Sequence, residues 1–287
     1  MPEGYGLYRE KLRHYRRERL ALAADDKVLT GWNGLLLMAL ARAGRVFDSG
    51  RYLDAARELA AFLRRELSAG GRTLACFCGG EARFPASLDD CAFRALGLLE
   101  LYDACFDPTY LLEAEALAEE ILAHYADGAG GFFLTADDAE KLIVRPKELY
   151  DGALPSGNSA AAVLLQRLRR LTAKERWREA AEKQLAFLCA NLAGYPAAGA
   201  FGLTALLDLR FPTRELVCAA PDEETPEALR AVLGRWAPEL AVLLKTPARA
   251  AALALAAPFT ADLEPKDGKA AFYLCEGGAC RLPAETL

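Results

Sequence analysis

Two adjacent carboxylates, Asp89 and Asp90, open an apolar run in the segment SLDDCAF (87–93). Neighbouring residues at a helix start project in different directions. One of them can therefore accept the free N–H groups of the first turn, as a capping carboxylate does, while the other points elsewhere. Cleaving a sugar bond calls for two carboxylates flanking that bond, one protonated and one charged. Two neighbours on one stretch of chain rarely supply both. A partner for Asp89 or Asp90 would have to come from another cluster, with Asp25, Asp26 and Asp151 as the candidates. Catalysis and capping with structural bonding both remain open readings of the pair, and capping is the commoner role.

Two further polar clusters precede apolar runs. Asp25, Asp26 and Lys27 lead to Trp32 and Asn33. Trp32 offers a flat apolar surface and an N–H donor, suited to stacking a sugar ring. Asn33 offers a donor and an acceptor. Lys27 can do no more than neutralise the aspartates, and Trp32 can equally be ordinary core. Arg145, Lys147, Glu148, Tyr150 and Asp151 stand ahead of Pro155, Ser156, Gly157 and Asn158. Ser156 or Asn158 can cap the helix that follows, while Tyr150 and Asp151 can reach a central cavity. A structural salt-bridge network explains the same residues. The candidates are thus Asp89, Asp90 and Asp151 for catalysis, and Asp25, Asp26, Lys27, Trp32, Asn33, Lys147, Glu148, Tyr150, Ser156 and Asn158 for ligand binding. Helix N-termini keep nearby carboxylates charged, which suits bases better than acids. An acid would need an apolar environment to raise its pKa, and no residue declares one in the sequence.

The pattern asks for no metal and no cofactor. His14 lies in a basic helix and His124 near the end of an amphipathic one, so a histidine mechanism and a histidine-rich metal site are both disfavoured. Cys76 and Cys78 with Cys91 lack any further ligand spacing. Cys275 and Cys280 can close a disulfide or hold a metal with outside ligands, but reduced, inert thiols are the plain expectation.

The elements that must position these residues form a repeat. Largely apolar helices at 32–44, 90–105 and 157–171 are each followed by an aromatic-led amphipathic helix, at 51–67, 109–125 and 175–192. Tyr52, Ala56, Leu59, Leu63 and Leu67 mark one stripe. Tyr110, Ala114, Leu117, Ile121 and Tyr125 mark the next, and Trp177, Ala181, Leu185 and Leu188 the third. Spacings of three and four put one face on a core. Hairpins repeated at this period must stack to bury their shared faces. A basic helix is expected over 7–22, a cap at Asp107-Pro108, short strands in GFFLT and KLIVRP within the long link 126–156, and a helix over 199–210. Strands at 215–219, 239–245 and 271–275 with a helix at 225–236 make a small α/β tail. The expected organisation is a mainly α, partial α/α toroid over 1–210 with an α/β appendage over 211–287.

Composition narrows the classes. Apolar residues make up 53% of the 287-residue chain, and the formal net charge is −5. That balance does not support nucleic-acid binding, which needs a basic field. The richest apolar stretches, 35–41 and 251–259, are too short to cross a bilayer, so no membrane partner is expected. The N-terminus lacks a secretory apolar stretch, and a cytoplasmic location is the default.

The segments DDKVLTGWNG (25–34), SLDDCAF (87–93), RPKELYDGALPSGNS (145–159) and CEGGACRLP (275–283) together resemble the C-terminal portion of a family that joins a thioredoxin-like domain to an (α/α)6 barrel. It includes the bacterial YyaL-type and the spermatogenesis-associated thioredoxin-like proteins. Its barrel is similar to those of six-hairpin glycosidases and N-acylglucosamine 2-epimerases, a fold-level analogy. The chain departs from the family at Gly31, where serine is usual, and at Cys91, where an aromatic is usual. It also lacks the thioredoxin-like domain and the first part of the barrel, and so reads as a fragment, a split gene product or a shortened homologue. The resemblance implies a carbohydrate ligand, with a non-enzymatic scaffold as the alternative. Three hairpins cannot close a six-hairpin ring, and self-association or a chain supplying the missing hairpins is the expected remedy.

Overall fold

The structure is a computed structural model that describes residues 4–19, 24–141, 143–211, 213–235, 237, 239–276 and 279–281. Its framework is three antiparallel helical hairpins. The first joins α2 (Thr30–Val46) to α3 (Gly50–Glu66), the second α4 (Leu88–Cys105) to α5 (Pro108–His124), and the third α6 (Gly157–Thr172) to α7 (Glu175–Leu192). α2, α4 and α6 form the inner row, with α4 in the middle packed on both neighbours. The hydrophobic pattern dictates this layering. The stripes Tyr110–Tyr125 and Trp177–Leu188 are buried at every marked position. In α3 the stripe holds at Ala56, Leu63 and Leu67, while Tyr52 stays 41% exposed.

Buried polar groups lock the outer helices. Glu115 of α5 accepts hydrogen bonds from the indole N–H of Trp177 at 2.7 Å and from Lys174. The fully buried tryptophan thus keeps its donor satisfied, and α7 is pinned to α5. The cap expected at Asp107 is present: its carboxylate accepts from the Thr109 amide at 3.0 Å, with Pro108 in the first helical position.

Inner helices approach closely because two glycines leave room. A Cβ on Gly34 would stand 2.5 Å from the Arg94 nitrogen, and one on Gly97 2.6 Å from the Gly34 oxygen. These obstacles are backbone atoms, which cannot rotate away. Gly34→Ala is therefore expected to force α2 off α4 and cost about 1–3 kcal/mol, despite alanine's better helix propensity. Urea unfolding measures this, and an unchanged midpoint would contradict the close packing.

The links differ from expectation. The 68–87 link, read as plain connection, holds β2 (Ser68–Ala69), β3 (Arg72–Cys78) and β4 (Glu81–Pro85), with β1 (Val28–Leu29) on the other side of β3. The signal was the alternation in RTLACFC ahead of Gly79-Gly80, a tight turn in which both glycines have positive φ. Among the described residues, the strands expected in GFFLT and KLIVRP are absent as such. GFFLT makes only the isolated bridges Ala126–Phe132 and Ser87–Thr135, and Leu142 lies outside the described residues. α1 (Tyr5–Arg19) is the basic helix, and none of its residues is buried; residues 20–22 of the expected helix lie outside the described set. The expected helix over 199–210 is a chain of short turns, including α8 (Ala200–Leu203) and α9 (Leu207–Arg210).

Beyond them lie β5 (Arg214–Ala219), α10 (Glu227–Leu233), β6 (Leu240–Lys245), α11 (Ala250–Ala256), β7 (Ala271–Glu276) and β8 (Ala279–Cys280). Sheet order is β6-β5-β7-β8. β5 and β6 run parallel, and β7 is antiparallel to β5. The helix expected at 225–236 is shorter, and Trp236 lies outside the described residues. Cys275 and Cys280 face each other across β7 and β8 and form a disulfide, which corrects the expectation of reduced thiols there. Gly277, Gly278, Leu282 and Pro283 of that motif lie outside the described residues.

Candidate functional site

The N-termini of α2, α4 and α6 meet, and Asp89 and Asp90 are the junction. The capping sequence Ser87-x-x-Asp90 starts α4: the Ser87 hydroxyl accepts from the Asp90 amide, and Asp90 Oδ2 accepts from the Ser87 amide at 2.9 Å. Asp90 Oδ1 accepts from the Gly31 amide of α2 at 2.8 Å. One carboxylate thus satisfies the starts of two helices. Burial raises its pKa, and its hydrogen bonds to Ser87 and Gly31 oppose that rise. Asp90 is the capping member of the pair.

Asp89 points the other way, towards the first turn of α6. A Cβ on Gly157 would lie 2.3 Å from Asp89 Oδ1, so glycine is what lets the carboxylate enter. Oδ1 is buried and has no hydrogen-bond partner. Burial, then the charges of Glu148 and Asp90, push the Asp89 pKa up to about 6, against a smaller opposing pull from the Gly157 amide. The expectation that helix N-termini would keep every carboxylate here charged is corrected at this residue. Desolvation and two like charges outweigh a single peptide dipole.

The remaining candidates divide by what they touch. Asp151 is committed to the chain: Oδ1 accepts from the Ser156 amide at 2.9 Å and Oδ2 from the Phe201 amide at 2.8 Å. It ties the start of α6 to α8 and leaves neither oxygen without a bond. Ser156 is the α6 cap, accepting from the Ser159 amide. Asn158 caps nothing. It is buried, bonding Phe132 N–H and C=O and the Glu148 carbonyl, and accepting from Gln184. Lys147 is turned inwards, onto the Gly130 carbonyl at 2.6 Å and Asp127 at 2.5 Å, between the rings of Phe133 and Phe187. Glu148 and Tyr150 are exposed.

The first cluster lies apart. Lys27 pairs with Asp25, whose pKa this bond lowers. Asp26 accepts from the Cys78 thiol at 3.1 Å. Asn33 donates to the Leu29 carbonyl at 2.8 Å. Trp32 is 66% exposed on the side of α2 turned away from Gly31 and Gly34, the residues that face α4. The structure therefore gathers Asp89, Asp90 and Glu148 and leaves Asp25, Asp26, Lys27 and Trp32 outside that group. Gly157 went unrecognised as the residue that admits Asp89; its place directly after a serine cap was the available signal. Two surface hollows, along α1 and beside Phe132, do not include Asp89.

Among the described residues, His124, Asp137 and Asp138 form a group with metal-ligand spacing. Arg72 already pairs with Asp138, and His124 with Asp137 at 2.9 Å, which accounts for the group as ion pairs.

No family model matches this chain. It is 29% identical to spermatogenesis-associated protein 20 of Rattus norvegicus and 28% identical to that of Homo sapiens, over 96% of its own length. The chain spans only 36–37% of the length of these curated relatives. An uncharacterised protein of Caenorhabditis elegans is 30% identical over 64% of the chain and 26% of that protein. Among solved structures, cellobiose 2-epimerase from Spirochaeta thermophila superposes with TM-score 0.51 at 15% identity, covering 64% of this chain and 54% of the epimerase. Unsaturated glucuronyl hydrolase from Bacillus sp. GL1 gives TM-score 0.51 at 16% identity, over 69% of this chain and 65% of the hydrolase. These likenesses show the fold of the hairpins, part of an α/α toroid, to which the structure adds a small sheet.

Proposed function

We propose that this relative of the spermatogenesis-associated protein 20 group binds a carbohydrate where its inner helices begin, and that Asp89 moves a proton there. The observation that carries the reading is the Asp89 carboxylate: one oxygen is buried without a partner, and Glu148 adds to the rise of its pKa. Asp90 and Asp151 use both oxygens to hold backbone amides. A carboxyl with a pKa of about 6 is partly protonated near neutrality, the condition for a general acid. Glu148, exposed and close enough to act on Asp89 electrostatically, offers a second carboxylate. Tyr150, 66% exposed two residues further on, offers a ring face for a sugar. The toroid fold shared with sugar-acting enzymes raises the prior for this ligand class by analogy alone.

A panel of neutral and charged oligosaccharides, followed for bond cleavage and epimerisation, tests the reading. Asp89→Asn should abolish turnover while preserving the fold, and the wild-type rate should fall as pH rises through about 6 because the acid form is lost. Undiminished turnover in Asp89→Asn would remove Asp89 from the mechanism.

A second reading, a non-enzymatic scaffold, draws on a specific observation as well. Asp90, Asp151, Ser156, Asn158 and Lys147 are all bonded into the framework. Absence of any sugar binding by calorimetry across the panel would favour it. No described helix is long and apolar enough to cross a membrane. Six free cysteines favour a reducing, cytoplasmic setting, and the Cys275–Cys280 disulfide argues against it.

A further inference from the structure

The Cys275–Cys280 disulfide sets these two residues apart from the other cysteines. Six are free, among them the exposed Cys189 and the half-buried Cys78 and Cys105. Where such thiols stay reduced, a disulfide is usually transient, and catalytic or redox-sensing rather than structural. Its position also leaves it little to hold. The two cysteines are only five residues apart, and closing so short a loop removes little freedom from the unfolded chain. β8 is the end strand of its sheet and two residues long. Other bonds already fasten it: the Arg281 amide donates to the Leu274 carbonyl at 3.0 Å, and the Arg281 guanidinium lies 3.6 Å from Glu276.

The two sulfurs sit in different surroundings. Cys275 is wholly buried in the main core, with Sγ 3.8 Å from the Tyr273 carbonyl. Cys280 is half-buried, between the exposed Ala279 and Arg281. The thiolate is the nucleophile, and apolar burial suppresses it while a neighbouring cation favours it. In the reduced hairpin, Cys280 is therefore the sulfur placed to attack, and Cys275 is shielded from outside reagents. Register completes the pair. Cys275 and Cys280 are direct cross-strand partners, so the backbone holds the second thiol opposite the first.

We infer that Cys275 and Cys280 form a reversible dithiol–disulfide couple that reduces low-molecular-weight disulfides, with Cys280 attacking and Cys275 resolving. The Cys280 thiolate attacks one sulfur of a disulfide RSSR. The bond between the two RS groups breaks, a mixed disulfide forms on Cys280, and the departing RS⁻ takes a proton from water. Cys275 then loses its proton to water and attacks Cys280 Sγ, expelling the second RS⁻, which is protonated in turn. Two electrons pass from the hairpin to RSSR, and two RSH are released. The internal disulfide is the oxidised product. Thiols in excess run the same steps backwards and restore the dithiol. The couple lies in the small sheet and does not rest on any reading of Asp89.

Glutathione and its disulfide are the probes. Cleavage after Lys269 and Arg281 yields one peptide that carries both cysteines and no other, so mass spectrometry reads this hairpin alone. In buffers of varied glutathione ratio, the native protein should pass between dithiol and disulfide with an unchanged circular dichroism spectrum. Treated with glutathione disulfide, Cys275→Ala should accumulate glutathione on Cys280, because nothing resolves it. Cys280→Ser should take up glutathione on Cys275 at least about tenfold more slowly. If Cys275→Ala does not fold, acid-quenched wild type replaces it, with the transient adduct expected on Cys280. A pair that is reduced only once the chain unfolds is a structural staple and overturns the assignment. Uptake at Cys275 as fast as at Cys280, or a wild-type adduct that is never resolved, overturns it as well.

Discussion

Replacing Asp90 by alanine is expected to lower the stability of this protein by about 2–4 kcal/mol, the largest loss for any of the candidate carboxylates. Two separate effects add. The α4 cap disappears, worth about 0.5–2 kcal/mol. The Gly31 amide at the start of α2 also loses its acceptor at 2.8 Å, and a buried donor left unpaired costs about 1–3 kcal/mol. Relief of the burial penalty on Asp90 itself offsets part of this. Asp90→Asn, which keeps one carbonyl acceptor, should fall between wild type and alanine. Urea denaturation of the three proteins measures the series. A loss below about 0.5 kcal/mol for alanine, less than one cap, would mean that α2 and α4 are not joined through this side chain.

The neighbouring substitution should act in the opposite direction. Asp89→Asn is expected to stabilise the protein by about 2 kcal/mol at pH 8, and the gain should vanish towards pH 4. The folded-state pKa of Asp89 is raised from 3.8 to about 6, so the folded state holds this proton more tightly than the unfolded chain. Below pH 3.8 both states are protonated and the residue costs nothing. Between about pH 4 and 6 the unfolded chain releases the proton while the folded protein retains it, and stability falls. Above pH 6 the penalty is complete. A two-unit rise corresponds to nearly 3 kcal/mol, reduced here because the residue is partly exposed. Asparagine carries no charge and escapes the penalty. Thermal unfolding of both proteins from pH 4 to 8 measures it. A pH-independent difference, or a destabilised variant at pH 8, would show that Asp89 is not held in a strained, desolvated state. Stability gained where a group is removed marks a site kept for some purpose other than folding.

Much of the fold was legible because helix periodicity survives in a single sequence. The stripes from Tyr110 to Tyr125 and from Trp177 to Leu188 name their buried faces without any neighbour in view. Asp107-Pro108 and the adjacent Asp89 and Asp90 are local signals for helix starts, complete within two residues. The β3–β4 hairpin was lost inside a link because its alternation is short. The GFFLT segment misled because β propensity reports a half-buried surface and not a ladder partner. The disulfide between Cys275 and Cys280 depends on β7 and β8 pairing in register, which spacing alone does not specify.

For the site, residue types and their positions ahead of three helices were fixed by the chain itself. The sequence determined that two adjacent aspartates stand at the start of α4 and, as neighbours, project in different directions, either of them able to cap it. Only the tertiary structure decided which did which. Asp90 caps because the Gly31 amide of α2 arrives on its side, 59 residues away in sequence. Asp89 becomes the perturbed acid because Gly157 admits it beside Glu148. The same packing turned Trp32 away from this group and bound Asp151 and Asn158 into the frame. Capping and burial stripes are local and so can be read along a chain. Desolvation and charge pairing belong to space, because they are set by whichever distant segments close over a side chain.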